Sequence, residues 1–418
     1  MEIKYVSEPN LNKRVSKIME NIIGEVRNQF NPKSIIITGS LGRGGGIVSE
    51  DLHGNILFHS DCEMIIYPLY NILEYKKIHH FQARIYERYG IKLDISGFVF
   101  TIQYLLKTSK TLRLKPTLGN YDLKYGSSVV YGRNILDSIE QINPGDIPFW
   151  EGLRLVFNRM AELLEHYSSD IRKSQLTPEH VQEVHYKINK LVLATQDLLL
   201  IRNKYYYASY RQRNIIFQSI FPKEYGELYA RIPGFTALTI RATNARLGTV
   251  YVDDMDLFLL WDEVLAYIDE ILRYILLEEF EISYNSYFEF REYFLSNSHV
   301  KNKCYRGLSP RPIYQNTKCI LISTLLLKND FMLKQSRLTK PWFRLVYSAI
   351  PVLYFSTYCG DKQAIKTQYS REGEHLRHLL DDLPISCGMI ESNEKDEWDR
   401  IKQQIINLWK LVCCSCGE

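Results

Sequence analysis

Apolar residues recur every three or four positions at Leu11, Val15, Ile18, Met19, Ile22, Ile23, Val26 and Phe30, which lays one stripe along a helix. Asn31-Pro32 ends it, because the residue before a proline is pushed out of the α region. The period then shortens. Ser34-Ile35-Ile36-Ile37-Thr38 is a β-branched run that predicts a buried strand, followed by a glycine-rich loop over residues 39–46. Residues 62–67 predict a second strand, 72–89 a helix and 91–101 a third strand.

From about residue 148 the period is 3.6. Phe149, Trp150, Leu153, Val156, Met160, Leu163, Leu164 and Tyr167 mark one helix, and Val184, Ile188, Leu191, Thr195, Leu198 and Leu199 another. Asp253, Asp254 and Asp256 open a third, with Leu257, Trp261, Val264, Leu265, Ile268, Leu272 and Ile275 on one face, since acidic residues suit the positive helix end. Residues 301–312 read as a connection, and 317–327, 341–358 and 394–412 as further helices. The pattern predicts an α+β chain: a small mixed sheet with flanking helices over residues 1–145, a helical domain over 146–300 that closes on substrate or nucleotide, and a helical extension over 301–418.

The 418 residues are 45% hydrophobic and 24% charged, so this is a chain that buries cores. A net charge of +4 is far below that of a dedicated nucleic-acid coat; it neither demands nor excludes a polyanion. The start lacks the apolar core of a secretory signal. Residues 345–360 carry no charge but fall short of the roughly 20 a spanning helix needs, so a buried segment is expected and no membrane. Eight irregularly spaced cysteines suit a reducing cytoplasm.

Chemistry concentrates in one stretch. After the first apolar strand comes Gly39-Ser40-Leu41-Gly42-Arg43-Gly44, then Ser60-Asp61-Cys62-Glu63-Met64-Ile65-Ile66 in the next strand. Asp61 and Glu63 are two apart, so in a strand both carboxylates share a face. A divalent metal is the usual resolution of their repulsion, Mg²⁺ being held by one or two carboxylates together with substrate phosphates. Asp94 is a charge inside the apolar run Ile91-Lys92-Leu93-Asp94-Ile95, and as a third acid it could bridge two metals or activate an attacking hydroxyl. At the turn, Gly39 lets the backbone approach a phosphate, Ser40 adds a donor and Arg43 can neutralise phosphate charge. No P-loop spacing is present, and Gly39, Gly42 and Gly44 are not in dinucleotide-binding order. The rival, surface acids beside a flexible loop, does not explain this order of strand, turn and acids.

The strings GSLGRG and SDCEMII resemble the nucleotidyltransferase fold of the DNA polymerase beta superfamily, and within it are similar to the kanamycin and aminoglycoside nucleotidyltransferases. The resemblance covers roughly residues 1–145. It implies that Gly39 and Ser40 hold a nucleoside triphosphate, with ATP first among them, that Arg43 lies near it, and that Asp61, Glu63 and Asp94 form a two-metal Mg²⁺ site. It implies transfer of a nucleoside monophosphate to a hydroxyl with release of pyrophosphate. This chain departs from the family in the 21 residues from Ser40 to Asp61, which include an insertion at 47–59, and in lacking an identifiable acid in the helical domain, where Glu151 is the nearest guess.

Lys187, Lys190, Ala194 and Asp197 share a helix face, and Lys190 would resemble the triphosphate lysine of many nucleotidyltransferases; an exposed face is the plainer reading. The tyrosines of 205–210 could stack on a base or sugar. Cys413, Cys414 and Cys416 form a zinc set only with remote Cys304, Cys319, Cys359 or Cys387, so ordinary thiols are expected. His53, His59, His79 and His80 show no metal spacing, and Lys107, Lys110, Arg113 and Lys115 read as solvated surface. The likeness of the turn and the modest charge favour a small hydroxylated acceptor. The helical surplus keeps RNA, a protein hydroxyl and a second nucleotide as alternatives, with a homodimer or a non-catalytic nucleotide-binding module also open.

Overall fold

The computed structural model describes residues 3–51, 53–69, 71–98, 102–103, 106, 111–168, 171–173, 176–248, 256–296, 342–358 and 397–416. The connection at 301–312, the helix at 317–327, Lys107, Lys110, Asp253, Asp254 and the four remote cysteines lie outside them. The chain is α+β and forms two compact units. The first comprises Met1–Ile147, Leu200–Ile220 and Thr236–Val252, the second Pro148–Leu199, Phe221–Phe235 and Asp253–Glu418. A boundary near 145, where the period changes, does not foresee that two later segments belong to the first unit.

In the first unit, α1 (Pro9–Phe30) buries Val15, Met19, Ile22, Ile23 and Val26. Glu8 caps it by accepting from the N–H groups of Asn10 and Leu11, and Asn31 ends it in the left-handed conformation at φ 45°. β1 (Ser34–Ile37) is buried at all four positions because it lies inside a four-stranded sheet. β2 (Val48–Glu50) and β3 (Ile56–Phe58) pair as a separate hairpin and account for the insertion. Asp51 closes the hairpin loop, its Oδ1 accepting from His53 N–H (2.8 Å) and Asn55 N–H (2.7 Å).

β4 (Cys62–Tyr67) runs antiparallel to β1, with Ile36 opposite Ile65. β5 (Leu93–Gly97) runs parallel to β4 after a crossover through α3 (Asn71–Tyr89), as a parallel pair requires. β6 (Ser128–Gly132) pairs with the other side of β1, giving the order β5-β4-β1-β6. The three-residue run Val129-Val130-Tyr131 is too short to announce a strand by pattern.

Alternation splits the sheet into two faces. Ile35, Ile37, Cys62, Met64, Ile66, Leu93 and Ile95 join α1 and α3 in one core. Ile36 and Tyr67 join Tyr121, Ile135, Leu136, Ile201 and Tyr206 in another. Asp61, Glu63 and Asp94 have the parity of the second face.

The second unit contains α5 (Phe149–Leu164) and most of α6 (Pro178–Arg202), then α8 (Gly226–Arg231), α10 (Leu257–Phe280), α11 (Tyr287–Ser296), α12 (Trp342–Phe355) and α13 (Glu397–Cys416). Two short helices in the first unit complete the numbering, α2 (Gly39–Gly42) and α4 (Leu118–Tyr125). Between α6 and α10, α7 (Tyr210–Glu224) and α9 (Phe235–Arg246) belong mainly to the first unit. Asp256 caps α10 through the N–H groups of Phe258 and Leu259.

The second unit's core is aromatic. Trp150, Phe157, Phe290, Phe294 and Tyr347 pack edge to face or tilted, and Asn158 Oδ1 accepts from Tyr347 Oη (2.6 Å) and Trp409 Nε1 (2.9 Å). Among the described residues, no helix is long and apolar enough to cross a membrane.

Candidate active site

The strand pairing fixes where the acids stand. Cα partners across β4 and β5 are Cys62 with Leu93 and Glu63 with Asp94, so Glu63 and Asp94 are neighbours on one face. Asp61 precedes Glu63 by two residues and shares that face. Asp61 pairs with Lys92 at 3.5 Å, and Glu63 Oε2 accepts from Thr38 Oγ1 at 3.3 Å. Desolvation and the negative charge of Asp61 push the Asp94 carboxyl above its ordinary value, against Lys92. Between the acids the Cys62 thiol is held well above its usual range, first by burial and then by Glu63, Asp61 and Asp94.

The turn after β1 is one helical turn, α2, rather than an open loop. Gly39 begins it at φ +63°, the left-handed region that favours glycine, and Glu63 Oε1 lies 2.6 Å from where a Cβ would stand. The first N–H groups of α2 precede any partner in its own ladder and are suited to an anion. Ser40 is only 5% exposed, so its hydroxyl is covered rather than displayed. A recess of about 370 Å³ opens at the β5 edge, lined by Asp61, Lys92, Leu93 and Asp94 and by Gln82, Ala83 and Tyr86 of α3.

Arg43 is committed elsewhere in the same unit. Its Nη1 donates to Asp122 Oδ2 at 3.0 Å and its Nη2 to Tyr210 Oη at 3.4 Å, while Tyr206 Oη donates to the other Asp122 oxygen at 3.0 Å. Arg213 lies over both tyrosine rings, 4.9 Å from Tyr206 and 4.2 Å from Tyr210. Burial would lower the Arg43 guanidinium, but Tyr210 and Asp122 outweigh it and hold it above its ordinary value. The arginine assigned by sequence to phosphate thus ties the turn to α4 and to the segment that returns at residues 206–213. The tyrosine run was visible in the sequence, but its partner Asp122 carried no signal.

Lys190 lies on α6 within the second unit. Its Nζ is 2.7 Å from Glu162 Oε2, with Lys187 at 3.7 Å and Arg159 also paired to that carboxylate. Burial, then the charge of Arg159, lowers Lys190 to about 8. Burial works against Glu162, yet Arg159, Lys190 and Lys187 bring it down to about 2. Glu151 pairs with Arg154 at 3.2 Å.

Three carboxylates on one face are the hard oxygen donors that Mg²⁺ takes, and a cation would relieve the repulsion that raises Asp94. The donor chemistry therefore fits. Among the described residues, however, no group of three or more His, Cys, Asp or Glu side chains is gathered for a metal; Asp61 is turned to Lys92 and Glu63 to Thr38. No family model, no curated protein and no solved structure matches the chain.

Proposed function

We propose that the protein is a nucleotidyltransferase of the DNA polymerase beta type, moving a nucleoside monophosphate from a triphosphate, ATP first, to an acceptor hydroxyl. The observation that carries this is the register of Glu63 against Asp94 beside a turn whose first residue, Gly39, has the left-handed φ that favours glycine. The acceptor oxygen attacks the α-phosphorus, the bond to the β-phosphate oxygen breaks, and pyrophosphate leaves with that electron pair. Asp94, which stands beside Glu63 on the same face, takes the hydroxyl proton. Mg²⁺ bound by Asp61, Glu63 and Asp94 would supply charge neutralisation at the phosphates, which is most of what phosphoryl transfer asks of a protein. The acceptor is a hydroxyl compound, small by the likeness of the turn.

Incubation with each α-labelled triphosphate and Mg²⁺, alone and with RNA, protein and small-metabolite fractions, should give one labelled product. Asp61→Asn and Glu63→Gln should abolish it without unfolding the protein; unchanged turnover in both variants removes the proposal.

The engagement of Asp61 with Lys92 and of Glu63 with Thr38 favours a second reading, a nucleotide-binding interaction module without catalysis. Saturable triphosphate binding with no product across all acceptors would establish it instead.

A further inference from the structure

Asp61 can reach a metal only by leaving Lys92, and the strand register explains why the two meet. Across the parallel pair of β4 and β5, Cys62 stands opposite Leu93 and Glu63 opposite Asp94, so the next pair toward the start of both strands is Asp61 with Lys92. The Cys62 N–H donates to the Lys92 carbonyl at 2.8 Å and holds that end of the ladder. Opposed residues share a face of a sheet, as do residues two apart in one strand. Lys92 therefore belongs to the face of Asp61, Glu63 and Asp94. It is a tethered cation among three acids.

The contact is one that a stronger cation can replace. Lys92 Nζ lies 3.5 Å from Asp61 Oδ2, with the lysine side chain 74% exposed and the aspartate 53%. Exposed pairs of this kind are weak, because water competes for both partners and the lysine loses freedom in holding the contact. Lys92 also lines the recess at the β5 edge with Gln82 and Tyr86, which gives its side chain space to turn into. An ammonium meets Asp61 at one oxygen, whereas Mg²⁺ carries twice the charge and is held by more than one carboxylate. The doubly charged ion gains more from this face.

We propose that Lys92 is the resident counter-ion of the acidic face and is displaced by the divalent cation, so that Lys92 sets the cation concentration at which the site fills. This rests on the nucleotidyltransferase reading for the identity of the ion. The pair of Asp61 and Lys92 then competes with the metal instead of taking its place. Lys92 relieves the repulsion among the acids when it is paired, and opposes the incoming ion with its own charge.

The test is binding of Mn²⁺ alone to the full chain, without nucleotide, read from the loss of the free ion's paramagnetic resonance signal. It needs no turnover. Breaking an exposed pair is worth about threefold and removing a like charge from beside a doubly charged ion about as much again, so Lys92→Gln should bind Mn²⁺ about tenfold more tightly than the parent. Lys92→Arg keeps the charge and should stay within about twofold of the parent. Lys13→Gln removes the same charge from α1, which packs on the opposite face of the sheet, and should change nothing. The double variant Glu63→Gln, Asp94→Asn should abolish binding, which marks the signal as that of the acids. Equal affinity in the parent and Lys92→Gln would overturn the proposal and leave the catalytic reading standing. So would an equal gain in Lys13→Gln, or a Lys92→Gln gain that survives when Glu63 and Asp94 are neutralised. Binding by Lys92→Gln with none by the parent would uphold the hold of Lys92 on Asp61 and fault the catalytic reading, because the lysine then excludes the ion outright. Binding by neither would overturn both.

Discussion

Removing Asp122 should cost the first unit about 3 kcal/mol. Arg43 and Asp122 face each other at 3.0 Å with side chains only 12% and 21% exposed, and Tyr206 occupies the second carboxylate oxygen. At an effective dielectric near 20 their attraction is about 5.5 kcal/mol, most of which offsets the lost hydration of two charges. Asp122→Ala removes the attraction and leaves the guanidinium buried without its counter-ion, a change that costs roughly 3–5 kcal/mol in buried pairs; the residual exposure of Asp122 places this one at the lower end.

Hydrogen exchange in increasing urea, read at the amides of β1, β4 and residues 206–213, is the suitable assay. Tryptophan fluorescence is not, since all five tryptophans belong to the second unit. Those amides should lose about 3 kcal/mol of protection, and the double variant Arg43→Met, Asp122→Leu should recover most of it, because an apolar pair of similar volume removes both charges. A cost under about 1 kcal/mol would refute the argument. So would an Arg43→Ala variant of unchanged stability with a raised triphosphate KM, which would return Arg43 to the phosphate role its sequence position suggests.

Three further outcomes are expected. Gly39→Ala should lose about 1–2 kcal/mol from its left-handed φ and still lose it in a Glu63→Ala background, because the carboxylate is the mobile end of a side chain and can swing away; a cost that vanishes in that background would assign it to the overlap instead. Asp94 holds its proton to higher pH in the folded than in the unfolded chain, so its contribution favours folding below the ordinary carboxylate value of about 3.9 and is lost as pH rises through the raised one. Urea melts should therefore find Asp94→Asn more stable than the parent at neutral pH and equal to it at about pH 3, and a less stable variant at pH 7 would contradict this. Glu162, lowered from 4.5 to about 2, stabilises the second unit above its ordinary value and ceases to as pH falls through about 2. Glu162→Gln, which leaves Arg159, Lys187 and Lys190 facing one another, should cost about 3 kcal/mol at pH 7 by tryptophan-monitored unfolding, and a loss under about 1 kcal/mol would show that the cations separate freely.

Local pattern was enough for what is local. The period along residues 11–30 set α1, the β-branched run set β1, and the spacing of Asp61 and Glu63 put both acids on one face; of the three acids expected in the first turn of α10, Asp256 is its N-cap, and the first turn itself holds no acid. These follow from short-range geometry, because 3.6-residue and two-residue repeats are written in neighbouring positions. Pairing across the chain was not legible. That Asp94 stands beside Glu63 depends on β5 docking in parallel register, and β6 became a strand only because β1 offered it a partner. Arg43 read as a phosphate ligand from its place after the turn; the tertiary structure gave it Asp122, 79 residues away, and Tyr210, 167 away, since a buried guanidinium must be neutralised by whatever carboxylate and hydroxyls packing brings to it.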